Sequence, residues 1–248
     1  MSTPRVPIYD LTSRRVPSKQ GSVLERSMDL RIVGGQDAPE ERVPYQVSLR
    51  MLGSHFCGGS ILNQRWVLTV PIPHWARVVV GTTSLTQGGD RYAVQKVTVH
   101  ENYDAKVITQ DISLIRVTKD IVFGAAVQPI ALPEVNTDAG AGLFLSGWGR
   151  IAYPGNLPDQ LQMINLTALS VEDCQRRFNG INPVFDTQIC SLTKEGEGAC
   201  HGDSGGPLVE GSSVVGVVSW GMPCARGYPD VYTRVYAYRD WILERISE

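Results

Sequence analysis

Ser204 stands inside the stretch ACHGDSGGPLV, residues 199–209, with Asp203 before it and Gly205 and Gly206 after it. A serine hydroxyl is a weak nucleophile at neutral pH until a neighbouring base takes its proton, so this stretch does chemistry only if a base reaches it from elsewhere. The same letters also describe a tight glycine turn with no chemistry. Asp111, at the head of the apolar run DISLIRV, is a second candidate. A carboxylate there can orient an imidazole, and an acid in that place can equally cap a strand. Imidazole is the usual base near neutral pH, and the chain holds four histidines, His55, His74, His100 and His201.

Such residues need a scaffold. From Arg31 onward the runs YQVSLRML, RWVLTV, ARVVVGT, YAVQKVTVH, ISLIRV, QMINLTAL and SVVGVVSW are rich in Val, Ile, Leu, Thr and Tyr, and turn signals such as QGGD, YPGN and GYPD separate several of them. That spacing predicts antiparallel sandwiches or barrels. The last stretch, YRDWILERISE, differs: Ile242 and Ile246 sit four apart, as do Trp241 and Arg245, which predicts an amphipathic helix. No repeat of fixed period and no low-complexity tract interrupts the pattern.

The 248 residues are 42% hydrophobic with net charge −2, enough for one large all-β domain or two small ones. The near-neutral balance gives no electrostatic reason for nucleic acid or an anionic membrane as partner. No apolar run reaches the roughly 18 residues of a membrane span. Residues 1–31 are polar, carry both signs of charge and lack the apolar stretch of a secretory signal. They are expected to be a disordered leader, either an unusual pro-segment or a start from which the true N-terminus is missing. The cysteines number five, Cys57, Cys174, Cys190, Cys200 and Cys224, so one thiol stays free or pairs outside the chain.

From Arg31 nearly to the C-terminus the chain resembles the chymotrypsin/trypsin-like serine proteases, most closely their arthropod digestive members. RIVGG, PYQVSL, CGGSIL, WVLT, DISLIRV, SGWG, ACHGDSGGPLV, VVSWG and GYPDVYTRV occur in the family's order and spacing. The resemblance implies an all-β fold of two packed six-stranded antiparallel Greek-key barrels with a C-terminal α-helix, filling residues 32–248 behind the 1–31 leader. It implies a secreted, monomeric endopeptidase that hydrolyses peptide bonds through an acyl-enzyme, with no cofactor and no metal. Asp90 is the only acid in the hairpin loop 81–94 that binds calcium in some relatives, and calcium needs six to eight oxygen ligands.

By that resemblance Ser204 is the nucleophile, the N–H groups of Gly202 and Ser204 form the oxyanion hole, and Asp111 orients the histidine. Cleavage after Arg31 by a trypsin-like activator frees the amino group of Ile32 to pair with Asp203, a switch that shapes the oxyanion hole. Arg31 is otherwise one more charge in a polar leader. The implied disulfides are Cys174–Cys190 and Cys200–Cys224, with Cys57 a free thiol. Gly198 occupies the base of the primary specificity pocket, where a trypsin carries aspartate, and Asp230 stands on the opposite wall where most members carry glycine. Digestive arthropod proteases with this exchange look like broad chymotrypsin-collagenase types, accepting apolar and aromatic side chains and tolerating Lys or Arg. Asp230 is alternatively a turn residue facing water. Ser219, Trp220 and Gly221 match the edge that pairs with substrate as an added strand.

The chain departs from the family at one place. After WVLT the family reads Ala-Ala-His-Cys, and this chain reads Val70-Pro71-Ile72-Pro73-His74-Trp75. Ile72 holds the histidine position and Pro73 the position of the cysteine that would pair with Cys57. A local deletion, an alternative exon junction or a wrongly joined gene explains both departures at once. His74 lies two residues late, roughly 7 Å along extended chain, behind two prolines. A displacement of about 1 Å can already cost 10²-fold in rate. His55 and His100 match surface or support positions, and His201 sits beside the oxyanion loop; none of the three is placed to receive the serine proton. Two readings follow: a digestive-type endopeptidase whose chain has lost its base, and a non-catalytic homologue that binds protein or peptide in an intact cleft.

Overall fold

Valine- and isoleucine-rich runs become strands because a branched side chain packs well on a pleated, half-buried surface. The protein is seen in a computed structural model that describes residues 32–39, 41–222 and 224–247. The expected leader, Arg31 included, lies outside the described residues. After the short β1 (Gln36–Asp37) come β2 (Gln46–Met51), β3 (Ser54–Ile61), β4 (Trp66–Thr69), β5 (Arg77–Val80), β6 (Asp90–Val99) and β7 (Ser113–Val117). Strands β2 to β7 close into an antiparallel barrel in the order β2-β3-β4-β7-β6-β5.

The second half holds β8 (Gly142–Gly147), β9 (Gln162–Leu169), helix α1 (Val171–Arg177), β10 (Gln188–Ser191), β11 (Pro207–Glu210), β12 (Ser213–Gly221) and β13 (Asp230–Arg234). Its strands run β9-β10-β13-β12-β11-β8, pairing of β8 with β9 closes the ring, and β1 adds to β9 from outside. These are the two six-stranded antiparallel barrels of the trypsin-like fold, and closure leaves no long edge open to aggregation. A 3-10 turn over Val235–Tyr238 leads into helix α2 (Arg239–Ile246). Ile242 is fully buried on α2, with Trp241 and Ile246 packed beside it, as the four-residue spacing requires.

Each barrel has its own apolar filling. Val47, Leu49, Val67, Val78 and Ile115 fill the first, and Leu143, Leu145, Leu166, Leu208 and Tyr232 the second. A third cluster joins them: Trp66, Leu68 and Leu114 of the first barrel pack with Val209, Val217, Val235 and Ile242 of the second half. Burying a side chain of this size contributes about 1.5–3 kcal/mol, so the seam is a stable platform. Backbone crosses it as well. The Gly58 N–H donates to the Ser204 carbonyl at 2.8 Å, and the Ser146 hydroxyl donates to Gln46 Oε1 at 2.7 Å. Gly58 is required there, because a Cβ on it would lie 2.7 Å from the Gly206 Cα.

Candidate active site

The seam carries Ser204. Its loop runs from Cys200 to Gly206 between β10 and β11, and the loop's own hydrogen bonds hold it. The Asp203 N–H donates to Cys200 O at 3.1 Å, Gly206 N–H to Asp203 O at 2.9 Å, and Gly205 N–H to Val218 O at 2.8 Å. Gly202 has φ +107°, open to glycine and strained for other residues. Among the backbone hydrogen bonds of the described residues, the N–H groups of Gly202 and Ser204 are not donors. Two such amides are what a developing oxyanion requires.

Asp203 is wholly inside the protein. Its carboxylate accepts from the Gly149 N–H at 2.7 Å and the Cys200 N–H at 2.9 Å. A side chain at Gly147 or Gly149 would overlap that carboxylate, which gives the glycines of SGWG their physical reason. Burial pushes the Asp203 carboxyl up to about 6, against the pull of those two amides, and no cation among the described residues offsets it. Ile32, the first residue after the leader's expected end, is fully buried in the second barrel's core together with Ala199.

Asp111 is 6% exposed at the entrance to β7. Its Oδ2 accepts from the Ser219 hydroxyl at 2.6 Å, and its carbonyl accepts from the Thr233 hydroxyl at 2.6 Å. Desolvation raises its carboxyl to about 6, opposed by the Ser219 bond. Ser219 also lines, with Ser204, a cavity of about 220 Å³ whose walls include Ala199, Val218, Trp220 and Asp230. The structure thus gathers Ser204, Ser219, Trp220, Gly221 and Asp230 around one pocket, with Asp111 bonded to its rim.

Among the pocket's lining residues Asp230 is buried, at 6% exposure, so the alternative of a turn residue facing water is set aside. Its Oδ2 accepts from the Ala199 N–H at 2.7 Å. The same oxygen fills the space that a side chain at Gly198 would take, so glycine at 198 and aspartate at 230 are one arrangement. Burial raises the Asp230 carboxyl to about 7, eased by the Ala199 amide and increased by nearby Asp203. Trp220 is backed by Phe178, ring centroids 4.8 Å apart, a contact that no local spacing announces. Disulfides join Cys200 to Cys224 and Cys174 to Cys190, tying the serine loop to the segment before β13 and α1 to β10.

No imidazole is placed between Asp111 and Ser204. Ile72 is half-buried and packs against the first barrel's core and the seam cluster, the same two clusters that Cys57 packs against. Cys57 is a free thiol, and burial together with the Asp111 carboxylate pushes it up to about 12. His74 is exposed, with its ring edge against Trp75 at 5.0 Å. His55 is locked between the Ser48 hydroxyl at 2.9 Å and the Gly202 carbonyl at 3.0 Å, and burial lowers it to about 4. His100 packs against Tyr238 and Trp241, and His201, exposed at the mouth of the Ser204 pocket that it helps to line, has its ring against Tyr153 and no hydrogen bond to Ser204 or Asp111 among the described residues. The support given by His55 to the backbone of Gly202, like the Phe178 ring behind Trp220, is a contribution near the site that motif reading passed over.

A serine loop, a buried aspartate and a pocket at the seam of two β-barrels are the architecture of the trypsin-like serine proteases. The chain belongs to the trypsin family: the family model described as Trypsin matches residues 32–242. It is similar to Chymotrypsin-2 from Vespa crabro, 46% identical over 218 residues covering 85% of this chain and 98% of that protein. It is 40% identical to Trypsin 5G1 from Aedes aegypti over 226 residues, covering 86% of this chain and 84% of that one. Trypsin II-P29 from Gallus gallus is also 40% identical, over 227 residues covering 88% and 90%. By family, then, this is a serine endopeptidase.

Proposed function

We propose that this chain is an extracellular trypsin-family protein that holds polypeptide in its cleft and hydrolyses it far more slowly than its relatives. One observation carries the reading: an aliphatic side chain, Ile72, packs against the seam cluster as Cys57 does, and no histidine is hydrogen-bonded to Ser204 or Asp111 among the described residues, His201 lining the pocket with its ring against Tyr153. Without an imidazole, Ser204 has no acceptor for its proton and the leaving amine has no acid to protonate it. Asp111 does not replace it, since its part is to orient and stabilise an imidazolium. The substrate side is intact. Ser219–Gly221 offers an edge for an added strand, and the pocket ends on Asp230, which suits Leu, Phe, Tyr or Met and tolerates Lys or Arg.

The second reading, an active broad-specificity endopeptidase whose histidine segment is missing from this sequence, draws on the unpaired Cys57 and the intact oxyanion amides. Sequencing the transcript across the codons for Thr69 to Arg77 separates the two: a segment reading Ala-Ala-His-Cys restores the enzyme, and an unchanged transcript supports binding. Cleavage after Arg31 by a trypsin-like activator and a monomeric state belong to both readings.

The binding reading is tested with the chain cut after Arg31 and peptides carrying Phe, Leu or Arg at the primary position. Saturable binding with the peptides recovered intact is the expected result. Asp230→Gly should remove Arg-peptide binding first, because it removes the only carboxylate among the pocket-lining residues. Absence of binding, or an Arg preference that survives Asp230→Gly, contradicts the reading.

A further inference from the structure

Strand β9 contains Asn165-Leu166-Thr167, and Asn165 is the only asparagine of the chain followed at the second position by Ser or Thr with a non-proline between. Asn-x-Thr is the acceptor pattern for N-linked glycan. The strand's period of two sorts the three residues. Leu166 is 3% exposed and points to the core of the second barrel, while Asn165 and Thr167 are both exposed on the outer face. Asn165 stands directly opposite Phe144 of β8, and Thr167 opposite Gly142. Asn165 and Phe144 line one side of an outer groove of about 410 Å³, with Gly35, Gln36, Arg42 and Glu197 on the others. The Arg42 guanidinium lies 5.6 Å from the Phe144 ring centroid, so a partly exposed aromatic ring and a cation flank the amide. None of these residues lines the pocket at Ser204.

We infer that Asn165 is an N-glycosylation site, and that the groove beside it seats the first sugar. This rests on the extracellular reading above. The donor is an oligosaccharide carried on a lipid pyrophosphate. Asn165 Nδ2 forms a bond to the anomeric carbon as the bond from that carbon to the pyrophosphate oxygen breaks. The lipid pyrophosphate leaves with the electron pair, and Nδ2 gives up one proton; nothing is oxidised or reduced. The acceptor enzyme works on the extended chain, and the folded barrel then has to tolerate the product. A glycan at a residue facing the core would prevent folding, whereas at Asn165 it extends into solvent from a face that needs no further burial. The Phe144 ring offers the sugar's apolar face a partner at a cross-strand distance of about 5 Å.

The experiment secretes the full chain from a eukaryotic culture behind an added secretion signal, which makes the outcome independent of where the native chain travels. Intact mass and peptide mass are read before and after peptide N-glycosidase. The expected result is a mass increment that the enzyme removes, leaving aspartate in place of asparagine in the peptide spanning 165. Thr167→Ser should keep the increment, and Asn165→Gln and Thr167→Val should lose it. All three should still be secreted with both disulfides formed. Secreted, disulfide-bonded chain with unmodified Asn165 overturns the inference, as does an increment that persists in Thr167→Val.

Discussion

On the reading proposed above, Asp111 is the carboxylate left without its histidine. Its carboxylate is buried, accepts one bond from the Ser219 hydroxyl, and is raised to about 6, with no cation among the influences acting on it. A carboxyl raised in the folded state keeps a proton that the unfolded chain has already released. Its contribution to stability is therefore greatest below about pH 4 and is lost as pH rises through about 6. Replacing Asp111 by Asn removes the buried charge and keeps an oxygen for Ser219. Asp111→Asn should raise unfolding stability by roughly 2–3 kcal/mol at pH 8, a gain that shrinks as the pH falls through 6 toward 4. Urea melts at the two pH values check this. Equal stability at pH 8 would mean that something neutralises Asp111.

At the scale of the element, the serine loop is held against the first barrel by glycines that leave no room for anything larger. Gly205 has φ +80°, and a Cβ on it would meet the Thr69 hydroxyl, the Gly58 carbonyl at 2.7 Å and Val70 Cγ2 at 3.3 Å. Gly211, at φ +58° in the β11–β12 turn, has nothing within 4 Å of an added Cβ. Gly205→Ala should cost about 2–5 kcal/mol, combining backbone strain with overpacking, and Gly211→Ala only about 1 kcal/mol. Equal losses in chemical denaturation would show that the loop is not clamped at the seam. The contrast also explains what was legible in the sequence. Strands β4, β5, β7, β9 and β12 announced themselves through branched residues, and α2 through Ile242 and Ile246. Strand β3 carries Gly58 and Gly59 where branched residues would sit, the first because the backbone of Gly206 approaches it and the second because Val67 and the Leu68 carbonyl fill its space, so its periodicity is silent. Helix α1 buries only Cys174, so no apolar stripe marks it in the sequence; the structure shows the Ser170 hydroxyl capping it, accepting from the Asp173 N–H at 3.0 Å. In the site, Ser204 and Asp111 were readable as motifs. The bond from Ala199 to Asp230 and the clasp of His55 on Gly202 were not, because each joins residues far apart in the chain.

For the whole molecule, stability and catalysis separate. Two closed barrels, two disulfides and a shared apolar seam hold the pocket whether or not a base is present. Asp111, Asp203 and Asp230 are buried carboxyls raised to about 6, 6 and 7, so all three act to lower the uncut chain's stability from pH 5 to pH 8. An amino group freed at Ile32 and paired with Asp203 would offset part of that loss. The expected outcome is a melting temperature that falls between pH 5 and 8 in the uncut chain and falls less after cleavage at Arg31. Identical pH profiles for the two forms would count against the pairing of Ile32 with Asp203.

The most direct test of the central claim compares peptide hydrolysis by the chain cut after Arg31 with hydrolysis by its Ser204→Ala variant. In a serine protease whose base is working, losing the serine costs on the order of 10⁶ in turnover, about as much as losing all three catalytic groups together. On the proposed reading the base is absent, so both proteins should share the same low rate, within about tenfold, because the remaining acceleration comes from binding and the oxyanion amides. A parent chain that outpaces Ser204→Ala by about 10³ or more would contradict the account, since some group in this seam would then be taking the serine proton.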